Sequence, residues 1–350
     1  MGQFRGGPGS LPSLSRQGTA LVITSLEITR LRGIREGKLE DLTPLVVLVG
    51  PNACGKSTVL DALLIGASPN VGDGIYQAVL RHRGVREGAP WLLWKAEERG
   101  SAEIVLRAAP DKARHCSILV PEKSCVECKV APSSATSRGS ELVRVLLVDS
   151  GRKTRTGGTV PLPGVPNVRI IECAEEPLLT PLDALLTQCI KTGKKHELTE
   201  YLRELAPSIR DVLILTEGAG APIVHIEYSD CSVPAALAGD GYHALVRALL
   251  ELATCAEGLV LFEEPEIHQH PAAIRQMVRA ILAAVRRDIQ VVLTTHSLEL
   301  IDLILSESAA GDMEKLSVYR LKLDNGCLMS NRMSGDEVAF SRLTIENDLR

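Results

Sequence analysis

Gly50-Pro51-Asn52-Ala53-Cys54-Gly55-Lys56-Ser57-Thr58 is the stretch on which the reading of this 350-residue chain turns. It fits the spacing G-x-x-x-x-G-K-[ST]. The apolar run Leu45-Val46-Val47-Leu48-Val49 stands directly before it, with Pro44 on its far side, and Ser57 to Ile65 follows with helical composition. The length of the run and its Pro and Gly bounds favour a buried strand. Strand, loop and helix in that order are the context the spacing needs. Gly50 and Gly55 permit the backbone angles that turn successive N–H groups towards an anion. The helix that starts there adds the positive end of its dipole. In such a loop Gly50 to Thr58 surround the phosphates of a nucleoside triphosphate, Lys56 reaches the β- and γ-phosphates, and the Ser57 hydroxyl holds Mg²⁺.

A second apolar run, Leu259 to Phe262, ends in Glu263-Glu264-Pro265-Glu266. Neighbouring strand residues point to opposite faces. Glu263 is therefore expected in the Mg²⁺ shell and Glu264 as the general base for an attacking water. The plainer alternative is an acidic loop before the helix near Pro271, and the upstream phosphate loop outweighs it. A third run, Val291 to Thr294, leads to Thr295-His296-Ser297. Further strands are expected at 20–30, 101–108, 141–149, 211–216 and 222–228. Helices are expected at 242–256 and 271–287, with two more over 180–205 broken at Thr192-Gly193. This order indicates an α/β fold with a mainly parallel sheet. It divides as a disordered tail (1–18), an N-terminal lobe (19–110), a variable insertion (111–168) and a C-terminal lobe (169–350).

Composition narrows the class. Apolar residues make up 45% and aromatics only 3%, so the core must come from Leu, Val, Ile and Ala. No apolar run approaches the roughly 20 residues that span a bilayer, so no membrane insertion is expected. Nine scattered cysteines fit reduced thiols and a cytoplasmic location. Net charge is −4, yet residues 112–155 hold nine Lys/Arg against four Asp/Glu and no aromatic residue. That segment is read as a solvated face, with contact to a nucleic-acid backbone as the alternative. Cys125-Val126-Glu127-Cys128, with His115-Cys116 upstream, is weighed as a zinc site against surface cysteines. It lacks a second ligand pair. Glu266, His268 and His270 are read as a loop opening the next helix.

The stretches Ile28-Thr29-Arg30-Leu31-Arg32-Gly33-Ile34, Gly50 to Thr58 with Asn52, Leu237-Ala238-Gly239-Asp240-Gly241, Glu263 to Pro271 (EEPEIHQHP), and Thr294-Thr295-His296-Ser297 follow one another in order over residues 20–300. Together they resemble the ABC-type P-loop ATPases of the SMC/RecF/OLD-like superfamily, often grouped as AAA-family ATP-binding proteins. The resemblance implies a P-loop NTPase with an ABC/SMC-head-like two-lobe architecture, a mainly parallel central sheet and an antiparallel β lobe. It implies ATP and Mg²⁺ as cofactors and a homodimer formed on ATP binding. In that dimer Gly239 and Gly241 of one copy face the γ-phosphate held by the other, and His296 contacts the γ-phosphate and the water. Two departures stand out. Glu263 replaces the Asp of many relatives, and Ala238-Gly239-Asp240-Gly241 lacks the signature serine. Gln77 is the candidate for the Q-loop. The expected function is ATP hydrolysis that drives dimer closure in DNA maintenance or defence against mobile DNA, with DNA and a separate effector protein as partners. The alternatives are a nucleotide-binding subunit of an ABC transporter, or a regulatory ATP-binding module with little turnover.

Overall fold

The computed structural model describes residues 22–82, 88–97, 100–109, 112–132, 140–147, 153–156, 165, 167–172, 180–216, 220–345 and 347–349. The expected tail at 1–18 lies outside them. The chain opens with β1 (Ser25–Leu31), β2 (Ile34–Glu40) and β3 (Leu45–Val49), then α1 (Lys56–Ala67) and α2 (Val71–Leu80). An antiparallel series follows: β4 (Ser101–Ala109), β5 (Lys112–Glu122), β6 (Cys125–Pro132), β7 (Glu141–Leu147) and β8 (Lys153–Thr156). After β9 (Val168–Ile171) come α3 (Leu182–Lys191) and α4 (Lys195–Leu205). A small sheet of β10 (Ile209–Thr216), β11 (Pro222–Tyr228) and β12 (Ser232–Pro234) precedes α5 (Asp240–Thr254). The chain then runs through β13 (Leu259–Glu263), α6 (Pro271–Arg286), β14 (Gln290–Thr294), α7 (Leu298–Glu307) and the single turn α8 (Ala310–Met313). It finishes with the hairpin β15 (Leu316–Asp324) and β16 (Cys327–Ser334), then α9 (Gly335–Leu343).

One 13-stranded sheet organises the molecule, in the order β8-β7-β6-β5-β4-β1-β2-β16-β15-β3-β14-β13-β9. The pairs β9–β13, β13–β14, β14–β3 and β3–β15 are all parallel. From β2 outwards to β8 every pairing is antiparallel. The apolar runs read from the sequence are buried on both faces. In β3, Val46 and Leu48 belong to the core beneath α1 and α2, while Leu45, Val47 and Val49 belong to the core beneath the helices of the second half. β13 divides the same way, with Leu259 and Leu261 on one side and Val260 and Phe262 on the other. Two-sided burial is why these strands read as continuous rather than alternating apolar runs.

The stretch 111–168, expected as a variable insertion or lobe, contributes four strands among the described residues. β5 to β8 extend the sheet that β1, β2 and β4 begin. Alternate residues Cys116 and Ile118, Val126, Cys128 and Val130, and Val143 and Val145 enter the first core. Polar alternates on the outward face hid β5 and β6 in the sequence, whereas β7 falls within the strand expected at 141–149. Cys116, Cys125 and Cys128 are buried rather than on the surface. Burial pushes the Cys125 thiol up, and the neighbouring Cys116 pushes the Cys128 thiol well up. His115 neighbours Cys116 along β5 and so lies on the other face, where it pairs with Glu103. Among the described residues no three His, Cys, Asp or Glu side chains are placed to hold a metal ion. No described helix is long and apolar enough to cross a membrane.

Gly258 sets the edge of the parallel run. Its φ is +118°, and a Cβ there would lie 2.1 Å from the Asn167 carbonyl, which accepts from the Leu259 N–H at 2.9 Å. Gly258→Ala is expected to cost more than about 1 kcal/mol of stability. A lower urea midpoint would show it. An unchanged midpoint would mean that this close approach does not hold β9 on β13.

Candidate active site

The phosphate loop leaves β3 at Gly50 and enters α1 at Lys56. Three residues carry positive φ: Gly50 (+144°), Ala53 (+58°) and Gly55 (+98°). Gly50 has no room for a side chain, since a Cβ would lie 2.5 Å from the Leu321 carbonyl. No side chain caps α1, so its first N–H groups are left for an outside acceptor. Asn52 and Ala53 are exposed, while Cys54 and Lys56 are buried. The Lys56 ammonium lies 3.0 Å from Gly50 O, 3.2 Å from Pro51 O and 2.8 Å from His296 Nε2. Those three acceptors match the three donors of an ammonium.

The two carboxylates after β13 separate, each to its own partner. Ser57 Oγ donates to Glu263 Oε1 at 2.5 Å. Ser57 and Glu263 are an oxygen pair of the kind that holds Mg²⁺, which usually takes one or two protein oxygens and completes its shell with phosphate and water. Glu264 lies one residue past the strand in the left-handed region, at φ +46°. Its N–H donates to Thr294 O (3.1 Å) and approaches Thr294 Oγ1 (3.2 Å). Its carboxylate lies 3.4 Å from His296 Nε2. Glu266 fixes the segment carrying His296, because its Oε1 accepts from Thr295 Oγ1 (2.6 Å) and from the His296 N–H (2.9 Å). Lys56, Ser57, Glu263, Glu264 and His296 thus meet at the C-terminal ends of β3, β13 and β14, the side of a parallel sheet where ligands bind.

Gly239 and Gly241 are not part of this cluster. Gly239 is exposed at the start of α5, with φ +100° and open space where a Cβ would be. Gly241 backs onto the His268 carbonyl, 2.8 Å from a built Cβ, and its own carbonyl accepts from Gln269 Nε2 at 3.1 Å. His270 caps α6 through Nδ1, which accepts from the Ala272 N–H at 3.2 Å. It therefore serves the helix start, as the reading of that loop expects. Gln77 sits in α2 and lines a cavity of about 260 Å³ with Arg169, Glu172 and Glu251.

The sequence reading missed a buried ion-pair network behind the cluster. Arg81, 3% exposed, pairs with Asp61 at 2.8 Å and also with Glu172 and Glu263. Asp61 is fully buried and also meets Arg32 Nε (2.6 Å) and His82 Nε2 (3.0 Å). Burial pushes the Asp61 carboxyl up, but Arg32, His82 and Arg81 together outweigh it and hold it below its ordinary value. Burial alone would lower the Arg81 guanidinium. Asp61, Glu263 and Glu172 raise it instead. Arg81, Asp61, Glu172 and His82 belong to no spaced motif. The available signal was an Asp at position 61, inside an otherwise apolar helix.

Removing one partner of a buried pair typically costs about 3–5 kcal/mol. Arg81→Met and Asp61→Asn should each cost stability on that scale in urea, and the double variant should lose less than the two losses together. Strict additivity would contradict a shared network. With its folded pKa depressed, Asp61 contributes stability that is present above its unfolded pKa of about 3.9 and is lost as pH falls through the folded value. The gap between wild type and Asp61→Asn should therefore be widest near neutrality and close in acid.

Residues 191–302 match a family model described as "AAA domain, putative AbiEii toxin, Type IV TA system". That span takes in Gly239, Gly241, Glu263, Glu264 and His296. The uncharacterized protein MJECL11 of Methanocaldococcus jannaschii is 30% identical over 113 residues, which are 32% of this chain and 98% of MJECL11. MJECL10 of the same organism is 34% identical over 77 residues, covering 22% of this chain and only 33% of that protein. Among solved structures, an Smc head bound to the C-winged helix domain of ScpA superposes with a TM-score of 0.52 at 13% identity, covering 89% of this chain and 98% of that one. A second Smc head with an extended coiled coil, bound to the C-terminal domain of ScpA derived from Pyrococcus furiosus, gives 0.50 at 11% identity over 93% and 99%. At these identities the likeness speaks for the fold. The chain belongs to one family with MJECL11, and its fold is that of the Smc head domains.

Proposed function

We propose that this chain binds ATP with Mg²⁺, hydrolyses it, and closes head to tail with a second copy around the nucleotide. The observation that carries this reading is the convergence of Lys56, Ser57, Glu263, Glu264 and His296 at three neighbouring strand ends. Lys56 exchanges its backbone acceptors for β- and γ-phosphate oxygens. Ser57 and Glu263 hold Mg²⁺, which when bound neutralises charge on those phosphates. Glu264, held at its N–H by Thr294, accepts the proton of the attacking water. His296, between Lys56 and Glu264, orients both groups, and Glu266 orients His296.

Closure with a second copy is supported by the start of α5. Gly239 is exposed there, beside Leu237 at 75% exposure and near the exposed Ile267. Backbone N–H groups at a helix start suit a phosphate offered from another copy. The family description, with its toxin–antitoxin wording, supports a role in defence alongside a separate effector. Exposed Lys129 and the excess of Lys/Arg over Asp/Glu in residues 112–155 support contact with DNA, although Arg144 on the same outer face is paired with Glu127. A regulatory module with little turnover is the second reading, favoured by the missing signature serine.

Glu264→Gln should retain ATP binding, lower turnover at least about 100-fold, and leave an ATP-dependent dimer visible by light scattering. Turnover at the wild-type rate in this variant would remove Glu264 as the base. Undetectable turnover in the wild type would favour the regulatory reading.

A further inference from the structure

A cavity of about 850 Å³ opens directly against the phosphate loop, where Gly50, Pro51 and His296 line it. β15 and β16 form its outer wall. Arg320 lies opposite Val49 in the β15–β3 register, so it stands where β3 gives way to the loop. Lys322 shares its face, because Leu321 between them turns into the first core. Both cations are exposed. Met329, 49% exposed, lies opposite Lys322 in the β15–β16 register. Asp348 is the one carboxylate of the lining.

A second surface of matching chemistry lies at the start of α5, where Leu237 and Asp240 are both exposed. α5 turns into β13 over only four residues, 255–258, so its start stands level with the acidic end of that strand. The backing of Gly241 onto the His268 carbonyl holds it there. Among the described residues neither Asp240 nor Lys322 has an ion-pair partner. In the sheet, β3 and β14 stand between β15 and β13. The two surfaces therefore flank the phosphate-binding cluster on opposite sides of one edge. A twofold axis through that cluster brings each surface of one copy against the other surface of its mate, twice per dimer.

We infer that the cavity beside the phosphate loop receives the start of α5 of a second copy, with its Asp240 set against Lys322 and Arg320 and its Leu237 against Met329. The inference rests on the head-to-tail reading above and names the contact that sets its register. A carboxylate carried towards a bound triphosphate opposes association, because like charges across an interface repel. Cations beside the loop offset that repulsion and give Asp240 a defined place.

The test is a charge-reversal cycle in the full-length chain carrying Glu264→Gln, with ATP and Mg²⁺ present and sedimentation equilibrium as the readout of dimer affinity. Lys322→Glu and Asp240→Lys should each weaken the dimer about tenfold, the scale of one charge pair lost at an interface. The chain carrying both changes should regain most of the loss, because the reversed pair is complementary again in both copies. Asp240 and Lys322 are exposed, so unaltered circular dichroism is expected of all three variants. Single variants that dimerise like the parent would overturn the inference. So would a combined variant whose loss equals the product of the two single losses. In either case a parent that dimerises with ATP keeps the head-to-tail reading intact. A parent that binds ATP in calorimetry and stays monomeric would instead overturn that reading, and this inference with it.

Discussion

Parallel pairing of β3, β14 and β13 is the constraint on which the rest of the molecule depends. In that register Leu48 lies opposite Thr294, and Thr294 lies opposite Glu263. The phosphate loop, the segment carrying His296 and the acidic pair therefore begin at the same level of the sheet. A shift of one residue would turn alternate apolar side chains out of their cores. With both faces of these strands buried, such a shift is strongly opposed, so the same burial that stabilises the sheet also aligns the chemistry at its edge.

The second constraint is electrostatic. Glu263 is held from one side by Ser57 and from the other by Arg81. Arg81 continues to Asp61 of α1, and Asp61 continues to Arg32 at the β1–β2 turn. One run of charge-assisted contacts thus links a strand end in the parallel region to the antiparallel arm. A divalent cation at Glu263 would share its carboxylate with the guanidinium of Arg81.

The parallel core was legible in the sequence because its strands are buried on both sides and end in residues with unusual chemistry. Gly50 to Thr58 and Glu263-Glu264 could be placed from spacing and strand context, and His296 from the family resemblance. Of the arm, β7 was legible at 141–149, whereas β5, β6 and β8 were not, because one-sided burial dilutes the apolar residues of β5 and β6 with polar alternates, as around Cys116 and Cys128. The last hairpin was also missed, although Asn325-Gly326, with φ of +47° and +84°, is a turn signal of known type. Arg81, Asp61 and Glu172 were beyond reach for another reason. They lie far apart in the chain and are brought together only by the packing of α1, α2 and β9.

The central claim is that Lys56 and its loop hold a triphosphate. Calorimetric titration of ATP with Mg²⁺ into wild type and into Lys56→Ala tests it most directly. The account predicts saturable binding to the wild type and a loss of measurable binding in the variant, with both proteins folded. Equal heats and affinities in the two proteins would contradict it.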